Sequence, residues 1–225
     1  MKDYKYIFWD LDGTITSSAE GITNCIRYAL TFFDQTLDME TMLKFIGPPL
    51  RDSFAKYCGM DKAQAEEAVR RYRERYIPIG LYECSVFEGA EETLKYVRES
   101  GKKQYLTSSK PEAQCRQLLT RLGLVDYFHD VVGATPDGRI DAKQQVLQEA
   151  FRRIGEETGQ ELEELKEQAV LIGDTMFDAE GAALEGIDFI GVTYGFGSRQ
   201  ELERYPAVGL FDTTEELRRG LLGWD

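Results

Sequence analysis

The sequence contains one histidine, His129, among 225 residues. Any Ser-His or Cys-His relay would have to use that ring, and no GxSxG elbow accompanies it. His129 follows "DYF" in what reads as a connecting segment, so a structural or surface role is expected. Cysteine is also scarce. Cys25, Cys58, Cys84 and Cys115 are widely spaced with no CxxC pair, which favours free thiols over a zinc site or a disulfide framework. No run approaches the ~18 uncharged apolar residues needed to span a bilayer. The opening "MKDYKYIFWD" has no long apolar stretch after its lysines, so a cytoplasmic protein is expected. Positive charge is in deficit as well: 27 basic residues against 40 acidic ones leave a net charge of −13. Such a molecule repels nucleic acid and anionic membranes. The one basic cluster, "VRRYRERY" at 69–76, fits a solvated helix face, because Ala65, Ala68, Val69, Tyr72 and Tyr76 fall at helical spacing and the arginines fill the other faces.

What is present is a regular alternation of short apolar runs with helical patterns, the signature of an α/β layered fold with a parallel sheet. Strands are expected at 6–9 ("YIFW"), 104–107, 131–133, 169–173 ("AVLIG"), 189–192 and 208–211. Helical patterns lie between most of them. "PEAQCRQLLTRLG" opens with a proline suited to the first helical position. "DAKQQVLQEAFRRIG" has Asp141 as a natural N-cap and Val146, Leu147, Ala150, Phe151 and Ile154 on one face. Residues 16–84 break the rhythm, with helices near 17–33, 39–46, 50–58 and 61–76. The last opens on Asp61 with Gln64 three residues on. The expected organisation is a Rossmann-like three-layer core, 1–15 and 85–225, with an all-helical cap, 16–84, inserted after the first strand.

Four polar clusters fall at the C-terminal ends of predicted strands, the edge where open parallel sheets bind ligands. "DLDGT" puts Asp10 and Asp12 two residues apart, and each raises the cost of ionising the other unless a cation is shared. Mg2+ suits such acids because it is hard, prefers oxygen and binds carboxylates together with phosphate oxygens. Gly13 permits close backbone approach, and Thr14 can begin a turn. "LTSSKP" supplies the hydroxyls of Thr107, Ser108 and Ser109 at a strand end before a helix start, a setting that favours phosphate. Lys143 lies in the first turn of an amphipathic helix, with Arg139 as a competing cation. "LIGDTMFDAEGA" delivers Asp174 at a strand end and Asp178 four residues later.

In this order, and with a helical insert after the first, "DLDGT", "TSSKP", Lys143 and "GDTMFD" resemble the haloacid dehalogenase superfamily, in particular its phosphoglycolate-phosphatase-like branch with a helical cap. The resemblance spans the whole chain; its first and last motifs are specific, and the middle two depend on order and spacing. It implies that Asp10 attacks phosphorus to give an aspartyl-phosphate, while Asp12 protonates the leaving oxygen and then activates water. It implies Mg2+ on Asp10, the main-chain carbonyl of Asp12, and Asp174, with Asp178 a further ligand or an acid behind the ligands. Ser108 would be the phosphate-binding hydroxyl, or Thr107 if the register slips by one, and Lys143 would neutralise charge on phosphate and nucleophile. "IGPPL" with Arg51 is the candidate cap segment that meets the site. The implied activity is Mg2+-dependent hydrolysis of a small phosphorylated metabolite.

Asp12 argues against halide-displacing and phosphonate-cleaving relatives, which lack the second acid. A sugar-phosphate mutase keeps both acids and remains the alternative in chemistry. A receiver-like signalling module or a non-catalytic binding protein is the alternative from another class; the helical insert and the first-strand acid pair point away from both.

Overall fold

The protein is described by a computed structural model covering residues 2–224. Its strands are β1 (Tyr6–Trp9), β2 (Thr16–Ser17), β3 (Ser85–Val86), β4 (Lys103–Pro111), β5 (Asp130–Ala134), β6 (Ala169–Gly173), β7 (Asp188–Val192) and β8 (Gly209–Phe211). The helices are α1 (Ala19–Leu30), α2 (Met39–Leu43), α3 (Leu50–Cys58), α4 (Lys62–Tyr76), α5 (Ala90–Glu99), α6 (Glu112–Leu122), α7 (Lys143–Thr158), α8 (Leu162–Glu167), α9 (Met176–Glu185), α10 (Arg199–Leu202) and α11 (Thr214–Leu222). The chain divides into two compact units, Met1–Thr16 with Val86–Asp225, and Ser17–Ser85.

The first unit is an α/β layered structure around a six-stranded sheet of order β5-β4-β1-β6-β7-β8, every pair parallel. Tyr6 to Trp9 and Ala169 to Gly173 are wholly buried, as expected of parallel strands covered on both faces. Helix α7 contributes Val146, Leu147, Ala150, Phe151 and Ile154 to the core. Phe151 packs edge-on against Phe8 of the central strand, with centroids 5.0 Å apart. Trp9 pairs with Leu106 on one side and Ile172 on the other. The next residue on each strand, Asp10, Thr107 and Gly173, with Asp174 following, therefore comes side by side at one edge of the sheet.

Two local expectations need correction. The strand expected at 104–107 runs on to Pro111 through a register shift after Ser108, and Pro111 pairs with Ala134. Pro111 is thus the extended N-cap of α6 and not its first residue. The residue before a proline avoids the helical region, and Gly133 leaves room for the extended chain: a Cβ there would lie 2.6 Å from Lys110 O and from Glu112 N. Likewise α7 starts one residue later than an Asp141 cap would place it. Ala142 holds the cap position and Lys143 is the first helical residue, while the Asp141 amide donates to Gln145 Oε1 at 3.1 Å.

The second unit is built on helices. Asp61 and Gln64 form a reciprocal capping box on α4, and α3 spans 50–58 as its pattern predicts. Gly21 allows α1 to approach the 80–82 turn, since a Cβ there would lie 2.1 Å from Gly80 O. The basic cluster on α4 is matched by nearby acids: Arg70 pairs with Glu67 and Glu74 of the same helix, Arg71 with the same two, and Arg75 with Glu83 beyond it. Among the described residues no helix is long and apolar enough to cross a membrane. All four cysteines are free, with Cys25 and Cys115 buried. His129 sits beside the Tyr105 ring, and burial lowers its pKa.

Candidate active site

The Asp10–Thr14 turn is closed by backbone bonds. The amides of Ile15 and Thr16 donate to Leu11 O at 2.9 Å, and the Gly13 amide donates to Thr16 O at 2.8 Å. Gly13 has φ +97°, and a Cβ on it would lie 2.1 Å from Asp174 Oδ2. Here glycine is required twice over, for its backbone angle and for its lack of a side chain.

Asp10, Asp174 and Asp178 are buried together, and one carboxylate oxygen from each lies within 4.8 Å of the others. Lys143 is buried among them. Its Nζ donates to Asp10 Oδ1 at 2.5 Å and to Thr107 O at 2.8 Å, and lies 2.8 Å from Asp178 Oδ1. Three acceptors thus meet the three protons of the ammonium. Asp178 Oδ2 accepts from the Thr175 amide at 3.1 Å and from its hydroxyl at 2.8 Å, so both oxygens of Asp178 are engaged. The competing cation of the sequence, Arg139, pairs with exposed Asp137 instead.

Asp12 is paired with Lys110, Nζ to Oδ1 at 2.7 Å, both side chains largely buried. Sequence reasoning passed over Lys110. Its only signal was its place one residue beyond the hydroxyls of "TSSKP", and its partner depends on the register of β1 with β4. Ser108 Oγ accepts from the Lys110 amide at 3.2 Å, whereas Thr107 Oγ1 donates to Trp9 O at 3.4 Å. Ser109, which follows, is partly exposed. Thr14 Oγ1 donates to Asp174 Oδ1 at 3.3 Å. Arg51 belongs to the 17–85 unit, where its Nε lies 3.2 Å from Glu66 Oε1.

Electrostatics follow from burial. Desolvation drives the Asp10 carboxyl up to about 7 against the pull of Lys143. Asp174 is raised well above the usual carboxylate range, first by burial and then by Asp178 and Asp10. Burial opposes the charge on Lys143, but Asp10 and Asp178 outweigh it and raise its pKa. Four carboxylates here face two ammonium groups, an excess of negative charge that buried groups relieve by taking up protons or a further cation. An all-oxygen donor set with that excess fits Mg2+.

Residues 7–192 match the family model of haloacid dehalogenase-like hydrolases. The chain is 36% identical over 203 residues to a 5'-nucleotidase of Pseudomonas aeruginosa, covering 90% of this chain and 88% of that protein. It is 31% identical over 220 residues to tyrosine-protein kinase PtkA of Mycobacterium tuberculosis, covering 96% of this chain and 72% of that protein. Among solved structures, that of a predicted phosphatase from Clostridium acetobutylicum superposes with a TM-score of 0.91 at 35% identity, covering 99% of this chain and all of that one.

Proposed function

The chain belongs to the haloacid dehalogenase-like hydrolase family, and on that premise we propose that it is a Mg2+-dependent phosphatase of small phosphate monoesters, acting in the cytoplasm through an aspartyl-phosphate. Family membership and phosphatase-type relatives support the hydrolase class. The observation that carries the residue roles is the contact of Lys143 with Asp10 inside the buried acidic cluster.

In this reading Lys143 holds Asp10 Oδ1, leaving Oδ2 to attack phosphorus. The new bond joins Oδ2 to phosphorus as the ester P–O bond breaks, and Asp12 gives its proton to the leaving oxygen. Asp12 then takes a proton from water, whose oxygen attacks phosphorus, releasing inorganic phosphate and freeing Asp10. Lys110, at 2.7 Å from Asp12, keeps that carboxylate oriented between the two steps. Asp178 orients Lys143 by the carboxylate oxygen that Thr175 does not use. Ser108 and Ser109, together with the Gly13–Thr14 turn, would hold the phosphoryl oxygens, whereas the buried Thr107 hydroxyl is engaged by Trp9 O. Asp10, Asp174 and the main-chain carbonyl of Asp12 would hold Mg2+, with Asp178 behind them, and the ion when bound supplies charge to a transition state whose negative charge sits on phosphoryl oxygens.

The helical segment 16–84, with Arg51, would select the leaving group. The 5'-nucleotidase relative makes nucleoside 5'-monophosphates the first substrates to try, with phosphoglycolate and sugar phosphates beside them. The test is phosphate release from that panel with and without Mg2+, for the native protein and Asp10→Asn. Release that needs both Mg2+ and Asp10 is expected. Interconversion of sugar phosphate isomers without free phosphate would mean a mutase, and transfer to tyrosine would mean a kinase.

A further inference from the structure

The segment that follows β7, Thr193–Ser198, contains no acid and no cation, and the chemistry above gives it no part. Yet it reaches the cluster at three points. The Phe196 amide donates to Asp174 Oδ2 at 2.7 Å, and the Gly197 amide also favours the ionised form of that carboxyl. The Tyr194 hydroxyl donates to Thr14 O at 3.0 Å, in the turn that follows Asp12. Glycines make the approach possible: a Cβ on Gly195 would lie 2.4 Å from Asp174 Oδ2 and 2.3 Å from Gly13 O, and one on Gly197 would lie 1.9 Å from Asp174 O.

We propose that Tyr194–Gly197 is the positioning element of the cation site, fixing Asp174 by its Oδ2 and tying it to the Asp10–Thr14 turn. The inference rests on the reading of Asp10 and Asp174 as cation ligands. Oδ2 is enclosed by Gly13 on one side and Gly195 on the other and is bound by the Phe196 amide. Oδ1, which accepts from the Thr14 hydroxyl at 3.3 Å, is the oxygen we assign to a cation. A carboxylate fixed in this way enters the site already oriented, and the ordering cost is met in folding. Tyr194 acts on the other side of the same site. Its ring, half-buried and in edge contact with Phe87 at 5.2 Å, anchors the hydroxyl that holds the Thr14 carbonyl.

The test is calorimetric titration of Mg2+ into the EDTA-stripped full-length protein, comparing native, Tyr194→Phe, Gly195→Ala and Asp174→Asn forms, with thermal midpoints measured in EDTA. Tyr194→Phe is expected to weaken Mg2+ binding about 10-fold and Gly195→Ala about 10–100-fold, the range for partners that orient metal ligands. Raising Mg2+ should restore the turnover of Tyr194→Phe, a rescue that a purely structural defect would not show. Should Gly195→Ala fail to fold, Tyr194→Phe decides alone. Native-like affinity in the loop variants with binding abolished in Asp174→Asn would overturn the positioning role and leave the site reading intact. Equal binding by native and Asp174→Asn forms, or none by either, would remove the site reading and the inference together.

Discussion

Replacing Lys143 by methionine isolates its charge from its packing. The lysine stem lies against α9, where a Cβ on Gly181 would come within 2.6 Å of Lys143 Cγ, and methionine keeps an unbranched stem of similar length. What disappears is an ammonium with three acceptors, Asp10 Oδ1, Thr107 O and Asp178 Oδ1. Removing one member of a buried ion pair costs about 3–5 kcal/mol, because its partner stays buried and uncompensated. Here two carboxylates, Asp10 and Asp178, lose the same partner. For a chain of this size each kcal/mol moves the thermal midpoint by about 2–4 °C, so a fall of at least about 6 °C is expected in EDTA. Mg2+ should recover part of it, since the ion replaces some of the missing charge. Activity should suffer more. A donor aimed at charge in the transition state is worth about 10²–10³ in kcat, and in the proposed mechanism Lys143 also orients the attacking carboxylate. Phosphate release at saturating Mg2+ and substrate, followed beside differential scanning fluorimetry, measures both effects. A variant with kcat within about fivefold of the native value and an unchanged midpoint in EDTA would refute the role assigned to Lys143.

Two further outcomes follow from groups that take no part in the proposed chemistry. Burial alone would raise the Asp130 pKa, but Arg116 and Arg153 outweigh it and lower the value, with bonds of 2.6 and 3.0 Å. Its contribution is therefore present above pH about 4 and lost as the pH falls through the native pKa; in urea titrations Asp130→Asn should be about 2 kcal/mol less stable than the native protein at pH 7, and the gap should close toward pH 3. Burial pushes the Cys115 thiol up to about 12 and raises Cys25 and Cys58 as well, but only Cys25 and Cys115 are fully buried, with Cys58 and Cys84 partly exposed. A thiol reagent at pH 8 should label Cys58 and Cys84 in the folded protein and reach Cys25 and Cys115 only after unfolding, as peptide mass mapping would show.

The parts of this architecture that were legible in the sequence share one property: they depend on local pattern. "YIFW" and "AVLIG" read as buried parallel strands because they are continuously apolar, and the acid that ends each run marks the sheet edge. Asp61 with Gln64 marked the start of α4 because a capping box is complete within four residues. The parts that were not legible depend on register or on a neighbour distant in sequence. Strand β4 continues through a proline because Gly133 lies beside it on β5. Lys110 meets Asp12 because β4 runs on past Leu106, the partner of Trp9 at the end of β1. The Tyr194–Gly197 segment has neither helical nor strand period, and its contact with Asp174 exists only because β7 lies next to β6. Asp178 illustrates the same limit: its contacts with Lys143 and with Asp10 and Asp174 join residues far apart in the chain.

The central claim is that Asp10 carries the phosphoryl group in turnover. Rapid acid quench of the full-length protein with Mg2+ and a turned-over phosphate ester, followed by peptide mass analysis, tests it most directly. The account predicts one base-labile phosphoryl group on the peptide containing Asp10, and neither label nor turnover in Asp10→Asn. Phosphate release by Asp10→Asn at the native rate, or a label on any other residue, would contradict it.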